Sequence, residues 1–96
     1  SLKLAMLGIV LVPDVLQRTP PYVDQVRPGS VAEAADVRPD DLILLLGDRL
    51  IQSCKSLRSE LEYIDFEDAI TLTVLRGQEL LERTLQAKIE DLRESP

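Results

Sequence analysis

The sequence predicts a small, mainly β domain, a partly open barrel or sandwich closed by two helices. Three observations carry this. The apolar residues fall into short runs separated by clusters of proline, glycine and aspartate, the spacing of strands rather than of long helices. Only two segments open with helix-start signals. A chain of 96 residues, 45% hydrophobic and 29% charged, supports one modest core and not two. Residues 1–96 therefore form a single domain, with its core at about 6–87 and a polar tail over 88–96.

Residues 5–12, AMLGIVLV, are apolar except for Gly8 and read as the opening strand. Glycine in a strand marks a bulge or a close approach of another backbone. Residues 13–21 hold three prolines and form a loop. Residues 22–26, YVDQV, are rich in strand formers and end at Pro28-Gly29. Ser30 with Glu33 three residues on has capping-box spacing and predicts a short helix over 31–35. The run 42–46, LILLL, between Asp40-Asp41 and Gly47-Asp48, suits a strand buried on both faces, and 49–51 return as a short strand. Ser53 or Ser56 can cap a second helix reaching residue 63 or 64, with Leu57, Leu61 and Ile64 on one stripe. Residues 69–75 alternate with β-branched residues, Gly77-Gln78 makes a two-residue turn, and 80–87 return. That hairpin sets Arg76 opposite Glu79 as a cross-strand charge pair.

The composition also excludes functions. A net charge of −6 and three aromatic residues leave no basic, stacking surface for nucleic acid. Without histidine, neither a Ser-His-Asp triad nor a Cys-His pair can form within this chain, so it carries no catalytic site of that kind. Cys54 is the only cysteine, which rules out an internal disulfide and a thiolate zinc site and reads as a partly buried small residue. Asp65, Glu67 and Asp68 lack the spacing of a calcium loop and read as a solvated turn; no metal or cofactor is expected. The longest apolar run, residues 4–12, is about half of the roughly 18 to 20 residues of a membrane span, so no direct membrane insertion is expected.

The segment RPGSVAEAADVRPDDLILLLGDRLIQS, from Arg27 onward, resembles the central signature of bacterial PDZ domains. LRSELEYI resembles their groove helix and AITLTVLRGQELLERTL their closing hairpin, so that the resemblance spans about residues 6–86. It implies a PDZ-like fold in the circularly permuted, bacterial topology. LGI together with LTVLRGQE is most similar to the PDZ domains that trail the protease domain of HtrA-type, trypsin-like serine proteases, which implies a non-catalytic fragment of a serine endopeptidase, commonly exported to the periplasm or cell envelope, whose parent oligomerises in some cases. The PDZ domains of secretion, scaffold and membrane-protease proteins share much of the pattern, which keeps a protein-assembly role as the alternative.

The resemblance also implies a site. Met6, Leu7, Gly8 and Ile9 match the family's carboxylate-binding loop, in which the N–H groups of Leu7, Gly8 and Ile9 would hold a terminal carboxylate in an anion-binding nest. Ile9, Val10 and Leu11 would offer a strand edge to C-terminal or unfolded polypeptide segments, and Leu57, Leu61 and Ile64 would line pockets on the facing helix. A helix rotated by one residue would bring Arg58 and Glu62 to the rim instead. If Leu57 opens the groove, an apolar side chain two residues before the ligand's terminus is expected. Gly8→Glu is expected to abolish binding and spare the fold. The family often has glycine where this chain has Asp36 and Asp41, and aspartate tolerates left-handed geometry better than most residues.

Overall fold

Four residues, Leu4–Leu7 (α1), coil into a helical turn before the first strand and stop at Gly8, whose φ of 82° closes the turn in the left-handed region. This corrects the reading of residues 5–12 as one strand. The apolar run suits either state; Leu4 and Leu7 meet the core by way of the turn, and the strand begins only at Ile9. The structure, a computed structural model, describes residues 1–13 and 19–88. After α1 come β1 (Ile9–Leu11), β2 (Val23–Val26), α2 (Val31–Ala34), β3 (Leu42–Leu46), β4 (Arg49–Leu50), α3 (Cys54–Glu62), β5 (Ile70–Arg76) and β6 (Glu79–Leu85). The tail over 89–96 and part of the proline loop lie outside the described residues.

Among the described residues the strands form two antiparallel sheets, β1-β2 and β4-β3-β5-β6, with three short helices rather than the expected two. No closed barrel results. The sheets meet at a seam where Tyr22 bridges Leu42, the Ile43 N–H donates to Pro21 O at 2.8 Å and the Val23 N–H to Asp41 O at 2.9 Å. β3 is fully buried only at Ile43 and Leu46, and Leu42, Leu44 and Leu45 stay partly accessible, so the expected burial of the whole run on both faces is not met. The β5-β6 hairpin turns on Gly77-Gln78 in the expected register, Arg76 opposite Glu79. Both helix-start readings hold in the structure. Ser30 Oγ accepts the Glu33 N–H at 3.1 Å, and Ser53 with Ser56 forms a reciprocal capping box at the start of α3. The core is lined by Leu7, Ile43, Leu57, Leu61, Leu72 and Val74, all nearly inaccessible. No helix among the described residues is long and apolar enough to cross a membrane.

One buried charge joins these parts. Asp41 is fully buried, and its carboxylate accepts the Arg76 Nε at 2.8 Å, the Arg76 Nη2 at 2.9 Å and the Arg38 N–H at 2.9 Å. The guanidinium thus leaves Glu79, its cross-strand neighbour, and turns inward to Asp41, which holds it protonated well above its ordinary range. Arg76 and Arg83 also donate to the carbonyl oxygen of Asp36, at 2.7 and 3.2 Å. Glycines aside, the left-handed residues among those described are Asp36, at φ 63°, and Asp40, at φ 74°. The expectation of turn geometry at Asp41 therefore moves by one residue, since Asp41 is spent on the ion pair.

Removing one partner of a buried charge pair leaves the other uncompensated, so Asp41→Ala is expected to destabilise the domain by about 3 kcal/mol in urea unfolding, and a loss under about 1 kcal/mol would contradict the role given to Asp41. Hydrogen bonds from Arg38 and then Arg76 hold the Asp36 carboxyl below its ordinary value of 3.8. A depressed folded-state value stabilises above 3.8 and loses that stability as pH falls through and below it. Urea unfolding of Asp36→Asn should show a deficit against the parent chain at neutral pH that shrinks on acidification; a deficit constant with pH would refute this.

Candidate functional site

A groove of about 840 Å³ lies between β1 and α3. Its walls are Ile9, Val10 and Leu11 from β1 and Arg58, Leu61 and Glu62 from α3, and residues 1–5 with Arg27 close one end. The two walls run in opposite directions. Cys54 at the start of α3 lies beside the exit of β1, its Sγ 3.5 Å from Val12 O, whereas Leu61 O, at the other end, accepts the Leu2 N–H at 3.0 Å.

The closed end is built by three contacts. The Arg27 guanidinium donates to Ala5 O, its own N–H donates to Gly8 O at 2.8 Å, and Gly8 packs against Ser30. A Cβ on Gly8 would sit 2.1 Å from the Ser30 Cβ, far inside van der Waals contact. What approaches Gly8 on that side is thus the chain's own second helix cap. With a positive φ as well, Gly8→Glu is expected to cost stability in addition to binding, so it is not the clean binding variant that the sequence suggests.

One edge of β1 is paired and the other is open. Gly8 O accepts the Arg27 N–H and the Val12 N–H donates to Tyr22 O, at the two ends of β2, and the Val10–Gln25 pair lies between them on the same ladder. By strand alternation the main-chain groups of Ile9 and Leu11 face the opposite edge, where no strand of the described residues pairs. Of the three N–H groups that the resemblance assigns to a carboxylate, that of Ile9 is therefore on the open edge, while that of Gly8 is turned back to Ala5 O at 3.2 Å and closes α1.

The other candidate residues divide clearly. Ile9 and Leu11 form the floor, Val10 is 41% exposed at the rim, and Leu61 faces them from α3. Leu7 is buried in the core, and Met6 packs half-buried against it. Leu57 is fully buried in the core and does not line the groove; of the stripe it shares with Leu61, only Leu61 borders it. Ile64 lines a separate cavity of about 610 Å³ with Tyr63, Ala69 and Ile70. Arg58 and Glu62, on the neighbouring face, border the groove beside Leu61. Leu2, Leu4, Ala5 and Arg27 also belong to it, and no local pattern marks them. Among the described residues no cluster of histidine, cysteine or acidic side chains is placed to hold a metal; Asp65 instead accepts the Glu67 N–H at 3.1 Å within its own turn.

A family model described as PDZ domain matches residues 5–87. Among solved structures, the HtrA-type protease AlgW with decapeptide superposes with a TM-score of 0.72 at 18% identity, over 83% of this chain and 27% of that one. A second AlgW structure with decapeptide gives 0.70 at 17%, over 84% and 27%. An aminopeptidase N family protein from Idiomarina loihiensis gives 0.71 at 21%, over 88% of this chain and 14% of that one. The chain thus spans about a quarter or less of the proteins it superposes on. No curated protein matches the sequence.

The close approach at Ser30 makes a stability prediction. Gly8→Ala is expected to cost about 1 to 3 kcal/mol in chemical unfolding, from the left-handed backbone and the displaced serine together. A neutral result would mean that Ser30 is not packed on Gly8.

Proposed function

The chain belongs to the PDZ domain family, and we propose that it is a peptide-binding module that captures C-terminal or extended polypeptide segments by strand addition, as the substrate-recognition domain of an HtrA-type serine protease. The observation that carries this reading is the open edge of β1 at Ile9 and Leu11, set beside an apolar floor and capped at one end by the Gly8 turn. A polypeptide laid antiparallel to β1 finds main-chain partners at Ile9 and Leu11, and its last side chain meets Leu61. Its carboxylate then lies at the closed end, where the Ile9 N–H is open and Lys3 and Arg27 supply positive charge.

The likeness to AlgW with decapeptide supports the HtrA-type parent. On this reading the proteolytic residues lie elsewhere in the parent, because a chain without histidine cannot supply the triad. The domain's contribution is selection: it binds a segment, alternate side chains of which fall toward α3, and the rest of the polypeptide is presented elsewhere. An HtrA-type parent would place the domain in the cell envelope.

A free carboxylate is central to this mode. Peptides with an apolar last residue and a free C-terminus should bind with dissociation constants in the micromolar range, as expected for a few main-chain hydrogen bonds and one buried side chain after ordering costs. Amidating the terminus should weaken binding about tenfold or more in isothermal titration, since the lost contacts are charge-assisted. Equal affinity of acid and amide would shift the reading to internal segments, and absence of binding by every such peptide would overturn it.

A further inference from the structure

The groove is cationic in a chain that is otherwise anionic. Its walls and closed end carry Lys3, Arg27 and Arg58 against the single carboxylate of Glu62, although the whole chain has a net charge of −6. The arginines divide in the same way. Arg38, Arg49, Arg76 and Arg83 each pair with a carboxylate within 3.3 Å. Arg27 and Arg58, the two in the groove, are the arginines among the described residues that make no such pair. Arg27 is committed to Ala5 O at the closed end. Arg58 is exposed, and Glu62, one turn on along the same helix face, forms no ion pair with it.

We propose that Arg58 is a specificity-determining residue, and that the groove selects segments with an acidic side chain two residues before an apolar C-terminus. This rests on the strand-addition reading above. Because α3 runs antiparallel to β1, moving up the ligand from its terminus means moving from Leu61 toward the start of α3. Side chains on one face of the added strand recur about every 6.6 Å. Arg58 is three residues, about 4.5 Å of helix, before Leu61, and helical side chains lean toward the helix N-terminus, which carries the guanidinium farther in the same direction. The terminal side chain therefore meets Leu61, and the next one on that face meets Arg58. Arg58 is exposed and makes no ion pair among the described residues, so the fixed fork of its guanidinium is left for a carboxylate. An apolar preference at that ligand position, expected had Leu57 faced the groove, would leave this charge without a partner.

The test uses the domain and three short fluorescein-labelled peptides with free C-termini, each ending in valine and identical except that the residue two before the last is Glu, Gln or Lys. Fluorescence anisotropy should rank them Glu, Gln, Lys in falling affinity, with about a five- to tenfold span between the extremes, the size of a partly exposed ion pair exchanged for a repulsion. Raising the salt from about 0.05 M to about 0.5 M should narrow the span. Arg58→Lys should keep the order, and Arg58→Glu should reverse it while still requiring the free carboxylate. Equal affinity of the three peptides for the parent domain, or a Glu preference that survives in Arg58→Glu, would overturn the inference and leave strand addition standing. Failure of all three peptides to bind would overturn the groove reading itself.

Discussion

A carboxylate with no exposed surface must be paired, and the way Asp41 meets that requirement organises the whole chain. It stands at the start of β3, where the two sheets meet, and its main-chain carbonyl accepts the Val23 N–H from β2. Its side chain takes the fork of Arg76 from the far end of β5. Both sheets and the β5-β6 hairpin are thus tied at one residue. Arg76 then reaches on to Asp36, whose left-handed backbone turns its carbonyl toward two guanidinium groups. The loop after α2 is pinned by the same network.

The groove depends on this indirectly. Among the described residues β1 pairs only with β2, so its position is inherited from the seam at Tyr22, Val23 and Asp41. Its entry is fixed by contacts from the opposite direction, where Ser30, the cap of α2, rests on Gly8 and Arg27 holds the α1 turn. The Gly8 turn is therefore preorganised by the domain's own packing, and a ligand meets a loop already shaped.

Where sequence and structure agree, a local signal decides. Strand alternation over residues 70–76, a glycine-first turn and a serine at the starts of α2 and α3 are statements about near neighbours, and tertiary packing did not override them. The misses are places where one pattern fits two outcomes. Leu4–Leu7 is apolar and could extend or coil; the contacts of Leu2 with Leu61 and of Gly8 with Ser30, remote in sequence, are met by the coil. Asp40 and Asp41 are identical letters side by side, yet one adopts a positive φ and the other is buried. On α3 the apolar stripe marks the face that must leave water, which is the core face. Beyond Leu61, which belongs to both core and groove, the groove is bordered on this helix by Arg58 and Glu62, which stay partly wet in the free domain and read as ordinary solvated charge.

That last distinction bears on how charge works here. At physiological ionic strength a charge is felt over roughly 8 Å, and the extents of the domain are 32 × 25 × 24 Å. The net charge of −6 therefore does little to an acidic segment already in the groove, yet it does nothing to draw one in from a distance. The cations of the groove act only at contact. Discrimination among segments should then reside in how long each stays rather than in how fast it arrives, since charges that steer set association rates and charges that touch set dissociation rates. The fold gains from this division as well: the arginines that hold it together are paired with its own carboxylates, and those of the groove are left over because α3 turns one face to the core and another to whatever lies along β1.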